Sequence, residues 1–74
     1  MPQFLRHGDT WRGVVWNASP DEIEEIEVHR PAEMPQPTTA TQITVRGERV
    51  VARIEGERVT CARPLGQWEC VVLC

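Results

Sequence analysis

The chain has no lysine and no tyrosine, and it has a single serine. All eight basic residues are therefore arginine. Each positive charge is a planar fork suited to pairing with carboxylates. The lone serine, Ser19, precedes Pro20 in a capping context, so no G-x-S-x-G nucleophile elbow exists. P-loop and dinucleotide-binding fingerprints are also missing. No apolar run approaches a membrane span. The opening MPQFLRHGD contains no stretch of signal-peptide length. A chain with these absences is expected to work in a reducing cytoplasm, without a membrane partner.

The cysteine count is three, which is odd. Secreted disulfide scaffolds carry even counts. Cys61, Cys70 and Cys74, with His7 and His29, show no C-x-x-C or H-x₃-H spacing, so no metal site and no cofactor is expected. Cys70 and Cys74 lie on one strand roughly 13 Å apart, too far for a shared ion or a disulfide. The reading is of reduced thiols acting as small apolar residues. A Cys61–Cys70 disulfide and a thiol redox or metal-binding role are the alternatives.

Seventy-four residues make one domain, residues 1–74, with a small core. Apolar residues form 41% of the chain, enough for that core and too much for a disordered tail. The net charge is −3, which disfavours a polyanionic partner such as nucleic acid.

The tetrapeptide GERV occurs at residues 47–50 and again at 56–59. Each glycine is read as the first central residue of a two-residue type II′ hairpin loop. The first loop then pairs Ile43 with Ala52 and Val45 with Val50. The second pairs Ile54 with Val59 and Ala52 with Cys61. Both place Ile43, Val45, Val50, Ala52, Ile54, Val59 and Cys61 on one face. A third turn at 64–67 would bring Trp68, Cys70 and Val72 to that face. The expected result is a four-stranded antiparallel meander over roughly 42–46, 49–55, 58–63 and 67–73.

TWRGVVW at 10–16 reads as a further strand. Ser19, Pro20 and Glu22 resemble a helix start, whereas Ile26 and Val28 alternate with acids. One helical turn near 20–24 and a strand near 25–30 reconcile the two. Three prolines punctuate a loop over 31–40, a length often functional. The fold class is mainly β: the meander plus one or two N-terminal strands, forming a small barrel or two-layer sheet, with at most one short helical turn.

DEIEEIE at 21–27 holds five acids in seven residues. They alternate with apolar positions and are expected to face water, as a solvated edge or as an acidic patch that meets a basic partner. Glu24, Glu25 and Glu27 are the candidates there. On the face away from the core, Arg46, Arg49, Arg53 and Arg58 interleave with Glu48, Glu55 and Glu57, a pattern that cross-strand ion pairing explains. The same face would carry Val51, Ala62, Val71 and Leu73 as an apolar patch. Either Trp11 and Trp16 cover it, or Val51, Val71 and Leu73 bind a protein partner.

Gly8-Asp9, the RGVVW strand, the Asp21-Glu22 turn, the acid-rich strand and the Pro-rich loop come in a telling order. ITVR at 43–46 and IEGERVTCARPLGQWECVVL at 54–73 follow. Over residues 8–73 this order resembles small tailed-phage head–tail joining proteins. The resemblance implies a compact β module that bridges capsid portal and tail, without enzyme activity and with no catalytic residues to carry over. The partners would be copies of itself in a ring, or virion components. Its location would be the host cytoplasm and then the virion. A small inhibitor of a host enzyme or defence complex, using the acidic segment, is the other protein-binding reading.

Overall fold

The computed structural model describes residues 2–74. Seven strands form one curled, open antiparallel sheet: β1 (Pro2–His7), β2 (Thr10–Trp16), β3 (Ile23–Glu27), β4 (Ala40–Ile43), β5 (Arg49–Glu55), β6 (Arg58–Leu65) and β7 (Cys70–Leu73). Their spatial order is β1-β2-β7-β4-β5-β6-β3. The mainly β, small-barrel expectation is met, and so is the strand at 10–16. There is no helix among the described residues, and none could cross a membrane.

The turn of the second GERV folds as read. Glu55 pairs with Arg58 and Ile54 with Val59 across Gly56-Glu57. Gly56 has φ 59° while Glu57 is not at positive φ, as a type II′ turn requires. Gly8-Asp9 is the same device: it joins His7 to Thr10, and Gly8 has φ 63°.

The first GERV folds differently. Ile43 pairs with Arg49 and Ala40 with Ala52, a slip of three residues from the expected register. Gly47 N donates to Thr44 O, and Thr44 N donates to Glu48 O. Gly47, at φ 82°, thus ends a type I turn as the left-handed residue of a three-residue loop with a bulge. Thr44 drives this choice, because its Oγ1 also accepts from Glu48 N at 3.1 Å. An odd slip exchanges faces. Ala40 and Gln42 therefore point inward, while Ile43 moves to the outer face and Val45 is exposed in the loop.

The meander breaks at its last link. β7 does not pair with β6; it lies between β2 and β4, with Val71 opposite both Val15 and Gln42, and Leu73 opposite Gly13 and Ala40. The turn that feeds it lies at 66–69, where Glu69 N donates to Gly66 O, and not at 64–67. Leu65 is instead a buried end of β6, and Trp68 is exposed.

β5 divides its ladder. Arg49–Ala52 pair with β4, and only Arg53–Glu55 pair with β6. Beyond Thr60, β6 leaves β5, and the side chain of Gln42 takes up the freed backbone. Its Oε1 accepts from Ala62 N at 2.6 Å, and its Nε2 donates to Arg63 O at 2.8 Å. Gln42 is 2% exposed, and these bonds are what make its burial tolerable. Asn17, also buried, closes the other end. Its Nδ2 donates to Leu65 O and Asp21 O, and its Oδ1 accepts from Ser19 N. That Asx turn, with Ser19 Oγ accepting from Asp21 N, replaces the expected helical turn near 20–24.

The core joins Val15, Val28, Ala40, Ala52, Val59, Leu65, Val71 and Leu73, with Phe4, Ile23, Ile26, Ile54 and Cys61 packed against it. The Pro-rich loop 31–40 is structural. Met34 and Pro37 are buried, Arg30 Nη1 donates to Met34 O, and Gln36 Nε2 donates to Gly56 O. Thr38 N bonds Cys74 O, and Cys74 N bonds Thr39 O. The loop is thus tied to Cys74 and to the β5–β6 turn at Gly56.

Candidate functional site

Of the apolar surface candidates, one remains at the surface. Val71 is 0% exposed, Leu73 is 1% exposed and Val51 is 79% exposed. The β7 pairing is the cause: it turns Val71 and Leu73 toward Ala40, Gln42 and Val15. They belong to the core and not to a binding surface. Trp11 and Trp16 do not lie over them; both are on β2, beside β7 in the sheet. Val51 lies between the exposed Arg49 and Arg53 on β5, beside Thr41 of β4.

The acidic candidates keep their place. β3 is one free edge of the sheet, and Glu24, Glu25 and Glu27 are exposed along it. Ile23 and Ile26 anchor it to the core, and Val28 N donates to Glu57 O at 2.6 Å. Register shifts between Ile23 and Glu25, where Glu24 alone lies opposite residues 61–64, so the irregularity belongs to β6 and not to the edge strand. Glu25 Oε1 meets Arg58 Nε at 2.8 Å. Asp21, Glu22 and Glu24 make no ion pair among the described residues. The edge is thus an exposed carboxylate row with part of its charge uncompensated.

At the end of that row His29 lies between two acids. Its Nε2 is 3.5 Å from Glu27 Oε1 and its Nδ1 is 3.2 Å from Glu57 Oε2. One donor atom from each residue lies within 4.8 Å of the others, a spacing a cation could use. All three are exposed, however, and their contacts with one another account for the arrangement.

The arginines divide by position. Arg53, Arg58 and Arg63 pair with Glu55, Glu25 and Glu48. Arg6, Arg12, Arg46 and Arg49 make no ion pair among the described residues, so pairing explains only part of the outer-face pattern. Arg6 instead donates from Nε to Gly8 O and lies 5.7 Å from the Trp11 ring centre.

The thiols are free and apart. Cys61 on β6 and Cys70 on β7 are not strand neighbours, which corrects the pairing that the meander implied. Burial pushes both thiols up from the ordinary range, and the Glu69 carboxylate adds to the rise at Cys70. Protonated thiols are poor nucleophiles and poor metal ligands.

The site that sequence pattern did not flag is β1, the other free edge. Its signal is Gly8-Asp9, a glycine–acid pair like Gly56-Glu57, followed by a strand. Phe4 holds β1 in place. It pairs with Gly13, where a Cβ would come within 3.1 Å of the Phe4 ring. A two-residue loop makes His7 and Thr10 the hydrogen-bonded closing pair. By alternation, Gln3, Leu5 and His7 turn their backbone groups to β2, and Pro2, Phe4 and Arg6 turn theirs outward. No backbone bond reaches that outer side among the described residues. Of the residues that guard sheet edges, β1 carries Pro2 and Arg6 but no row of carboxylates like that of β3. Comparison with known proteins finds no matching family, no matching curated protein and no matching solved structure.

Proposed function

We propose that this chain is a non-enzymatic protein-binding module that works as a connector between protein surfaces. The head–tail joining resemblance supplies the setting, a phage or phage-derived particle. The observation that carries the reading is the β3 edge. Five carboxylates in seven residues lie along or just before an edge strand whose isoleucines pack against the core. Exposed, partly uncompensated charge of one sign steers association with a basic partner and sets its orientation. The charges disfavour strand addition there, so the partner is met through side chains.

The test is mass spectrometry of particles released by the source cell, comparing wild type with Glu24→Arg/Glu25→Arg/Glu27→Arg. The wild-type chain should be a stoichiometric particle component, and the charge-reversed chain should be absent while still folded. A chain missing from particles, yet held as a small complex with one cellular protein, would replace the connector with the inhibitor reading.

A further inference from the structure

We infer that the β1 edge is a docking site for a second copy of this chain, which adds its own β1 antiparallel across a two-fold axis. This goes beyond the connector reading and does not depend on it.

The choice of occupant follows from the sheet. Seven strands in antiparallel succession leave β1 and β3 running in the same direction. Joining β1 of one copy to β3 of the next, inner face with inner face, would need a parallel pair. Two β3 edges would set carboxylate rows against each other. Two β1 edges meet antiparallel, and a two-fold axis normal to the sheet keeps inner face with inner face. Two-fold self-pairing of this kind is the commonest oligomer symmetry.

The register is then constrained. Opposed residues must share a face, so their numbers sum to an even value. The sum of ten opposes Leu5 with Leu5, Phe4 with Arg6 and Gln3 with His7. It uses the free N–H groups of both Phe4 and Arg6, each against the other's carbonyl. The sum of eight would oppose Arg6 with Pro2, which has no N–H to give. The sum of ten is also electrostatically acceptable. Arg6 opposes the uncharged Phe4, and no two like charges are opposed. Leu5, 53% exposed in the single chain, meets its own copy at the axis on the outer face.

Sedimentation of the purified chain from about 1 µM to about 1 mM should show a monomer passing to a dimer. Leu5→Glu should weaken the dimer about tenfold or more, because two carboxylates then meet at the axis. The same change keeps the single chain folded, since Leu5 pairs with Arg12 in β2. Arg6→Pro removes an outward N–H without touching the β1–β2 ladder and should act in the same direction. A chain that stays monomeric to about 1 mM, or variants that dimerise as wild type does, would overturn the proposal. Should either variant misfold, Leu5→Cys with Cys74→Ser decides the matter. Opposed residues of a non-hydrogen-bonded pair lie about 4.5 Å apart at Cα, within disulfide reach. Oxidation should give a covalent dimer with its sheet signal intact; failure to cross-link overturns the register. Charge reversal at Glu24, Glu25 and Glu27 should leave this dimer unchanged, so the two readings can fail separately.

Discussion

The same four residues, GERV, close two hairpins in two ways. At 56–59 the glycine opens a two-residue loop; at 47–50 it ends a three-residue one. The tetrapeptide is identical, so its neighbours decide. Thr44 stands three residues before Gly47, and Arg53 stands three before Gly56. A threonine can accept from the backbone N–H that the wider turn leaves open, and an arginine cannot. One hydroxyl thus selects a turn, and the turn selects which side of β4 faces the core.

The largest test of that comparison is Gln42→Leu. In the two-residue loop Gln42 would point to solvent and the change would be nearly neutral. With the observed register it strips Ala62 N and Arg63 O of their buried partner, and urea unfolding should register a loss of about 3 kcal/mol. Next, asparagine should separate the glycines. Asparagine tolerates the left-handed region but not the mirror-β region a type II′ turn needs. Gly56→Asn should cost about 2 kcal/mol and Gly47→Asn only a few tenths, by thermal denaturation. Valine at either position, held at positive φ, should cost about 1 kcal/mol or more.

A third turn sharpens the contrast. Trp68 sits at φ 68° in the Gly66–Glu69 turn, a place suited to glycine. Trp68→Gly should therefore stabilise the monomer by about 1 kcal/mol, read as a raised Tm. A similar amount, about 1 kcal/mol, should be lost in Thr44→Val, and hydrogen exchange at Glu48 should accelerate. The smallest effect is one of pH. Cys61 and Cys70 bind their protons more tightly folded than unfolded. Their contribution is therefore whole below the ordinary thiol range, about 8.5, and is lost as pH rises through the raised folded values. Cys61→Ala/Cys70→Ala should flatten that alkaline decline.

What the sequence conveyed was local. The two-residue loop gives the β5–β6 turn and the Ile54–Val59 pair, but not the expected Ala52–Cys61 pair, because β6 leaves β5 beyond Thr60. The acid row at 21–27 reads as exposed because five carboxylates in seven residues cannot be buried, whereas the inward placing of both Ile23 and Ile26, three residues apart, depends on the register shift against β6. The partner of β7 was not legible. CVVL is apolar on both faces, so nothing in its pattern distinguishes β6 from β2 as a neighbour. Gln42 was hidden too, since a polar side chain reads as solvent-facing unless its partners, twenty residues away, are known.

The place of β7 also orders events in time. During synthesis the β1–β2 hairpin emerges first, yet the flank of β2 stays unpaired until β7 arrives, nearly a whole chain later. The hairpin of β5 and β6 can form as it leaves the ribosome; the seam between Gly13 and Leu73 cannot. Folding should therefore show a slow final phase that reports on Val71 and Leu73, and the nascent chain should keep a sticky strand exposed until that last step.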